Sequence, residues 1–196
     1  MMRRFAVVPL VVAMLAPAAR AATWEIDPAH TTVEFSIRHM TVSNVRGTFD
    51  KVAGTAKSDE ADLTKSTITA TIETASVNTR NDKRDQHLRS ADFFDVAKYP
   101  TMTFTSKTIA KGVTAGHWSV TGDLTLHGVT KEVVLDVEGP TAAVKDPMGN
   151  TRAGAHATTM IKRQDFGIVY SKTLETGGLM LGDDVTVTID VEALQK

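Results

Sequence analysis

The chain has no cysteine among its 196 residues, which excludes a disulfide scaffold, a thiol nucleophile and a thiolate-held iron–sulfur cluster. It has no surplus of positive charge either: 22 Lys and Arg stand against 23 Asp and Glu. That balance argues against a nucleic-acid partner, because affinity for a phosphate backbone accumulates from basic contacts. No apolar run approaches the roughly 20 residues of a membrane-spanning helix. What is present is 42% hydrophobic residues in a length that suits one domain with a full core and is short for two.

The first 21 residues read as an export signal rather than as part of the fold. Arg3 and Arg4 supply a basic start, Phe5 to Leu15 an apolar stretch broken only by Pro9, and Ala19-Arg20-Ala21 the small residues of a cleavage site. Cleavage after Ala21 leaves residues 22–196 as the mature barrel domain and makes the periplasm the expected compartment. The Arg3-Arg4 pair leaves both the general and the twin-arginine export routes open. Removing the segment takes away three arginines and no acid, so the formal charge moves from -1 to -4. No cysteine is available for a lipid anchor, and no Asn-x-Ser/Thr acceptor occurs. An exported chain so equipped must hold itself together by packing alone.

Along the mature chain, period two dominates. Val33, Phe35 and Ile37 share one face of a strand whose other face carries Glu34, Ser36 and Arg38. Ile68, Ala70 and Ile72 alternate with threonines, which favour extended backbone and tolerate water. Met102 and Phe104 continue the pattern. It resumes at Trp118, Val120, Gly122, Leu124 and Leu126, then at Val133, Leu135 and Val137. Ala153, Ala155, Ala157, Thr159 and Ile161 share a face, as do Val185, Val187, Ile189 and Val191. The alternation breaks between Thr79 and Pro100, where Asn81 can cap a short helix and Asp82 suits its amino end. About eight strands and one helical insertion result. Connections this short make the sheet antiparallel. Closure would remove both edges, and eight strands enclose about one small ligand, although a two-sheet sandwich has the same alternation.

Catalytic chemistry finds little support. The six histidines form no close pair around a glutamate of the metalloprotease kind, and spacing leaves open only a metal site assembled from distant strands. No nucleophile elbow, phosphate loop or dinucleotide fingerprint occurs. The reading therefore assigns no catalytic residue, no cofactor and no metal. His39 shares the inward parity of Val33, Phe35 and Ile37 at a strand end. Arg84 and His87 share one side of the short helix, while Asp85 points elsewhere. Arg38, His39, Arg84, Asp85 and His87 are thus candidates either for holding a ligand's polar head or for structure. Arg46, Arg89, Arg152 and Arg163 add guanidinium groups suited to phosphate. If the barrel closes, Val33, Phe35, Ile37, Ile68, Ala70, Ile72, Met102, Phe104, Val120, Ala155 and Ala157 line it. Small residues there, with Gly122 and Ala153, signify either room for a ligand or close packing under larger neighbours.

Ordered motifs carry a resemblance. They are Ile26-Asp27-Pro28-x-His30, Phe35-Ser36-Ile37-Arg38-His39, Val45-Arg46-Gly47-Thr48-Phe49, and Arg84-Asp85-Gln86-His87-Leu88-Arg89-Ser90 followed by Asp92-Phe93-Phe94-Asp95. After them come Pro100-Thr101-Met102-Thr103-Phe104, Gly122 to Thr130, Arg163-Gln164-Asp165-Phe166-Gly167-Ile168 and Gly182-Asp183-Asp184-Val185. Over essentially its whole mature length the chain resembles the YceI-like family of exported, lipocalin-like proteins. That resemblance implies an all-β, eight-stranded antiparallel barrel with a short helical element. It further implies non-catalytic binding, storage or transport of a long polyisoprenoid, an isoprenoid quinone or a related amphiphile; the sequence itself leaves transient membrane contact and a homodimer open. Ala155 stands where the family often places phenylalanine, a departure that would widen the cavity locally. Two alternatives stand beside this reading: an enzyme acting on a lipophilic substrate, and a stress-related structural or protein-interaction module.

Overall fold

The structure, a computed structural model, describes residues 21–175 and 178–196; the expected export signal falls outside them except for its last residue. Twelve strand segments build eight staves. In the first, β1 (Ala21–Ile26) and β2 (Thr32–His39) are separated by a turn at 27–31 and lie end to end along one partner strand. The second consists of β3 (Ser43–Phe49) and β4 (Val52–Asp59), and the third of β5 (Thr67–Glu73) and β6 (Val77–Asn78). Then follow β7 (Thr101–Lys111), β8 (His117–Leu126) and β9 (Val129–Glu138). The two-residue β10 (Val144–Lys145) is a flap on β11 (Thr151–Lys162), and β12 (Leu181–Gln195) comes last.

Each stave pairs antiparallel with the next in sequence, and β12 closes the ring by pairing with β11 on one side and with β1 and β2 on the other. The molecule is therefore a closed eight-stranded antiparallel barrel. The short connections β2–β3, β4–β5, β7–β8 and β8–β9 enforce antiparallel neighbours, since a parallel one would need a long crossover, and the staves joined by longer segments pair antiparallel as well. Closure also removes the unpaired strand edges that a sandwich would keep.

The interruption of alternation after Thr79 is helix α1 (Asp82–Arg89), set between β6 and β7. The Asn81 side chain accepts a hydrogen bond from the Arg84 N–H at 3.0 Å, satisfying one of the free donors of the first turn. With the turns that follow it, α1 covers one end of the barrel, which also carries the β2–β3 hairpin, the 127–128 turn and the segments 163–175 and 178–180. At this helix end Phe93 and Phe166 pack with Phe49, Val77, Met102, Leu126 and Ile168 in one buried cluster. The opposite, far end carries the β4–β5 and β7–β8 connections, the 139–150 segment and the end of β12.

One ion-pair network fixes the break between β1 and β2. Arg152 on β11 donates to Asp146 at 2.7 Å through Nε, and its Nη1 donates to Asp27 at 2.7 Å and to Glu192 at 2.5 Å. These groups lie mostly out of solvent, and the Arg152 guanidinium, first among the causes, holds the carboxyl of Asp27 at about 2. The Asp146 carboxyl is also held well below its ordinary value, again chiefly by Arg152. Asp27, His30 and Glu192 stand close enough to offer three metal-ligand atoms. Oxygens of both acids already accept from the guanidinium, which supplies the positive charge at that point.

Candidate functional site: the barrel cavity

The inward faces of the staves enclose a cavity of about 1130 Å³. This exceeds the range of roughly 300–1,000 Å³ typical of pockets for drug-sized ligands. Val33, Phe35 and Ile37 of β2 line it, with Ile68, Ala70 and Ile72 of β5 and Met102 and Phe104 of β7. Val120 of β8 and Ala155 and Ala157 of β11 complete the eleven positions expected from parity. The wall also includes Trp24, Trp118, Leu124, Leu135, Val187 and Ile189. Many of these inward apolar residues are only half-buried, because the cavity leaves them without a packing partner.

Two phenylalanines lie along the wall rather than across the lumen, and glycine makes this possible. The Phe104 ring covers Gly122, where an added Cβ would stand 2.5 Å from ring atom Cζ. Phe35 covers its cross-strand partner Gly47 in the same way, at 2.6 Å. Gly122 is therefore not simply vacant volume: it is the recess that holds an aromatic ring against the sheet. Ala155, by contrast, is half-buried and lines the cavity near the far end.

Ile109 lies beyond the stretch in which parity was read on β7. A register shift between Ser106 and Thr108 changes the parity of the strand, so that Ile109 lines the lumen and is buried. Tyr170, Ile168 and Leu181 also reach the cavity from the segment between β11 and β12 and the start of β12. No alternation marks most of that segment, and its packing is set by residues distant in sequence.

The polar candidates divide into two groups. His39, Arg84 and His87 border the cavity at the helix end, beside Ser43 and Lys83. Arg84 is held there by Thr79, donating through Nε to its hydroxyl at 2.7 Å and through Nη2 to its carbonyl at 2.8 Å. His87 meets Asp92 at 2.8 Å and stands edge-on to Tyr170 with ring centroids 5.0 Å apart. Arg38 and Asp85 do not border the cavity. Arg38 is exposed on the outer face and donates to the Thr41 carbonyl at 2.6 Å, bracing the β2–β3 hairpin. Asp85 is buried beneath α1 and accepts from the Thr79 N–H at 2.9 Å and from its hydroxyl. Both make structural contacts.

Arg163, noted in the sequence only as one guanidinium among several, is 4% exposed and borders the cavity. Nε donates to the Gly182 carbonyl at 2.8 Å, and Nη1 to the carbonyls of Ile168 and Tyr170 at 2.7 and 2.9 Å. It ties the segment after β11 to the start of β12, while burial pushes its pKa down. Four histidines meet an aspartate, at Asp27, Asp92, Asp136 and Asp190. Of these pairs only His87–Asp92 includes a residue of the cavity wall.

The sequence model of the YceI-like domain matches residues 24–193. A UPF0312 protein of Staphylococcus aureus (strain MSSA476) is 40% identical over 167 residues, which cover 85% of this chain and 94% of that protein. The Campylobacter jejuni YceI protein superposes with a TM-score of 0.68 at 36% identity, over 81% of this chain and 90% of the other. A polyisoprenoid binding domain from Saccharophagus degradans superposes with a TM-score of 0.64 at 21% identity, over 88% of this chain and 98% of the other, a likeness of fold.

Proposed function

The chain belongs to the YceI-like family, and from that membership we propose that its barrel binds a long apolar lipid, of the polyisoprenoid or isoprenoid-quinone class, without transforming it. The observation that carries this reading is the cavity of about 1130 Å³ with aliphatic and aromatic walls along all eight staves. Burying a hydrocarbon gains about 0.8 kcal/mol per methylene, so a long chain is held by shape and apolar contact with few polar anchors, after the costs of immobilising it. Both mouths carry polar groups, hydroxyls and Glu60 at the far end and His39, Arg84 and His87 at the helix end, and the last three would face the head group. The reading takes the first 21 residues as an export signal and the periplasm as the place of binding.

Titration of delipidated protein with a polyprenyl phosphate and, separately, with an isoprenoid quinone tests it. At least one should bind stoichiometrically. Ala70→Phe and Ala155→Phe, which fill the lumen from opposite walls, should each weaken that binding by tenfold or more, about 1.4 kcal/mol, with folded structure retained. Failure of both lipids to bind would refute the reading.

A further inference from the structure

The two ends of the barrel differ in a way that lipid binding inside it does not require. At the helix end, Val42 of the β2–β3 hairpin is 78% exposed and Val169 is 66% exposed, with Met40 and Leu179 also presented to solvent. Backbone hydrogen bonds join these pieces: Met40 donates to Met180, which in turn donates to Lys172. Around them stand Arg38, Arg80, Lys83 and Lys172, exposed and without a salt-bridge partner among the described residues. Asp82, Asp92, Asp165, Glu175 and Asp184 are exposed acids nearby, and Glu34, paired with Arg46, also lines the cavity; the other charged side chains bordering it at this end, Lys83, Arg84 and Arg163, are basic. At the far end Val113, Val144 and Met148 are exposed as well, beside the exposed Lys111 and Lys145, but there the charged residue bordering the cavity is Glu60.

Apolar tips set among basic side chains suit one surface in particular. Aliphatic residues enter the boundary between head groups and acyl chains, while Lys and Arg are drawn to anionic lipid heads. Glu60 at the other mouth has the sign that such a surface repels. We propose that the helix end docks on an anionic lipid bilayer, through Val42, Val169 and Met40 with Arg38, Arg80 and Lys172. The cavity mouth bounded by His39, Lys83 and His87 then meets the membrane. Docking gives the lipid-binding reading its route of loading and rests on it for that purpose, but the contact itself is measured without a cargo lipid.

The experiment is co-sedimentation of the mature protein with phosphatidylglycerol-containing vesicles and with phosphatidylcholine vesicles. Wild type should bind the anionic vesicles and lose them as salt is raised. Val42→Asp and Lys172→Glu combined should lower the bound fraction about tenfold, whereas Val113→Asp and Lys111→Glu at the far end should not. Uptake of a polyprenyl phosphate from detergent, measured on the same variants, should be unchanged and certifies their fold and cavity. Equal binding to neutral vesicles, no binding to either kind, or equal loss from variants at both ends would overturn the proposal. So would a face that engages a protein and no vesicle. A failure of docking with uptake intact leaves the cavity reading standing, and loss of uptake in wild type strikes that reading instead.

Discussion

Gly122 and Arg152 show how single residues set the cavity and its frame. The Phe104 ring occupies the space that a Cβ on Gly122 would need, so Gly122→Ala should force the ring into the lumen or off its rotamer, at a cost of about 1–3 kcal/mol. Lipid binding should weaken beyond what the loss in stability explains, a difference readable from titrations alongside denaturant melts. Parity placed Phe104 and Gly122 on the inner face, but not one upon the other, because their contact depends on register between strands. Arg152 makes a pH prediction. Its guanidinium lowers Asp27 from 3.8 to about 2 and lowers Asp146 as well. A carboxyl whose folded pKa lies below its unfolded one stabilises the fold above the unfolded value, and that stabilisation is lost as pH falls through the folded value. Wild-type Tm should therefore fall on acidification from about 4 toward 2. Arg152→Met should start lower at neutral pH and fall less steeply over that interval. An identical acid limb in the variant would contradict this assignment.

Among the elements, α1 was legible because alternation stops, a capping asparagine appears and proline follows. Asn81→Ala should cost about 1 kcal/mol in denaturant unfolding, the usual loss for an N-cap acceptor. Asp85→Ala should cost more, about 2–3 kcal/mol, since it strands the buried Thr79 N–H and hydroxyl that the carboxylate now satisfies. The reverse order of these two losses would show that Asp85 is not the anchor of the helix. Sequence spacing separated Asp85 from the side of Arg84 and His87 correctly, and the structure adds that its place is under the helix, away from the lumen. The strands were legible wherever polar and apolar residues alternate without interruption, as in β2, β5 and β12. The second half of β7 was not, because the shift at Ser106–Thr108 breaks the period on which such reading depends. The stretch from Phe166 to Tyr170 escaped for a related reason: Arg163 ties it to Gly182 through backbone carbonyls, which leave no mark on residue type.

At the scale of the molecule, the short connections that join most of the eight alternating staves imply antiparallel neighbours, and a closed barrel follows once β12 meets β1 and β2. Alternation alone also fits a sandwich, and only the pairing of β12 on both sides decides between them. The polarity of the two ends was not legible at all, since it arises from loops distant in sequence that closure brings to one rim. The proposed role of the cavity is to hold a lipid chain. Native mass spectrometry of the protein purified from its native cells, paired with mass analysis of its organic extract, is the decisive measurement. A stoichiometric isoprenoid adduct, released on denaturation and absent from Ala70→Phe protein, is the predicted result. Protein that emerges empty, and stays empty when offered polyprenyl phosphates and isoprenoid quinones, would contradict it.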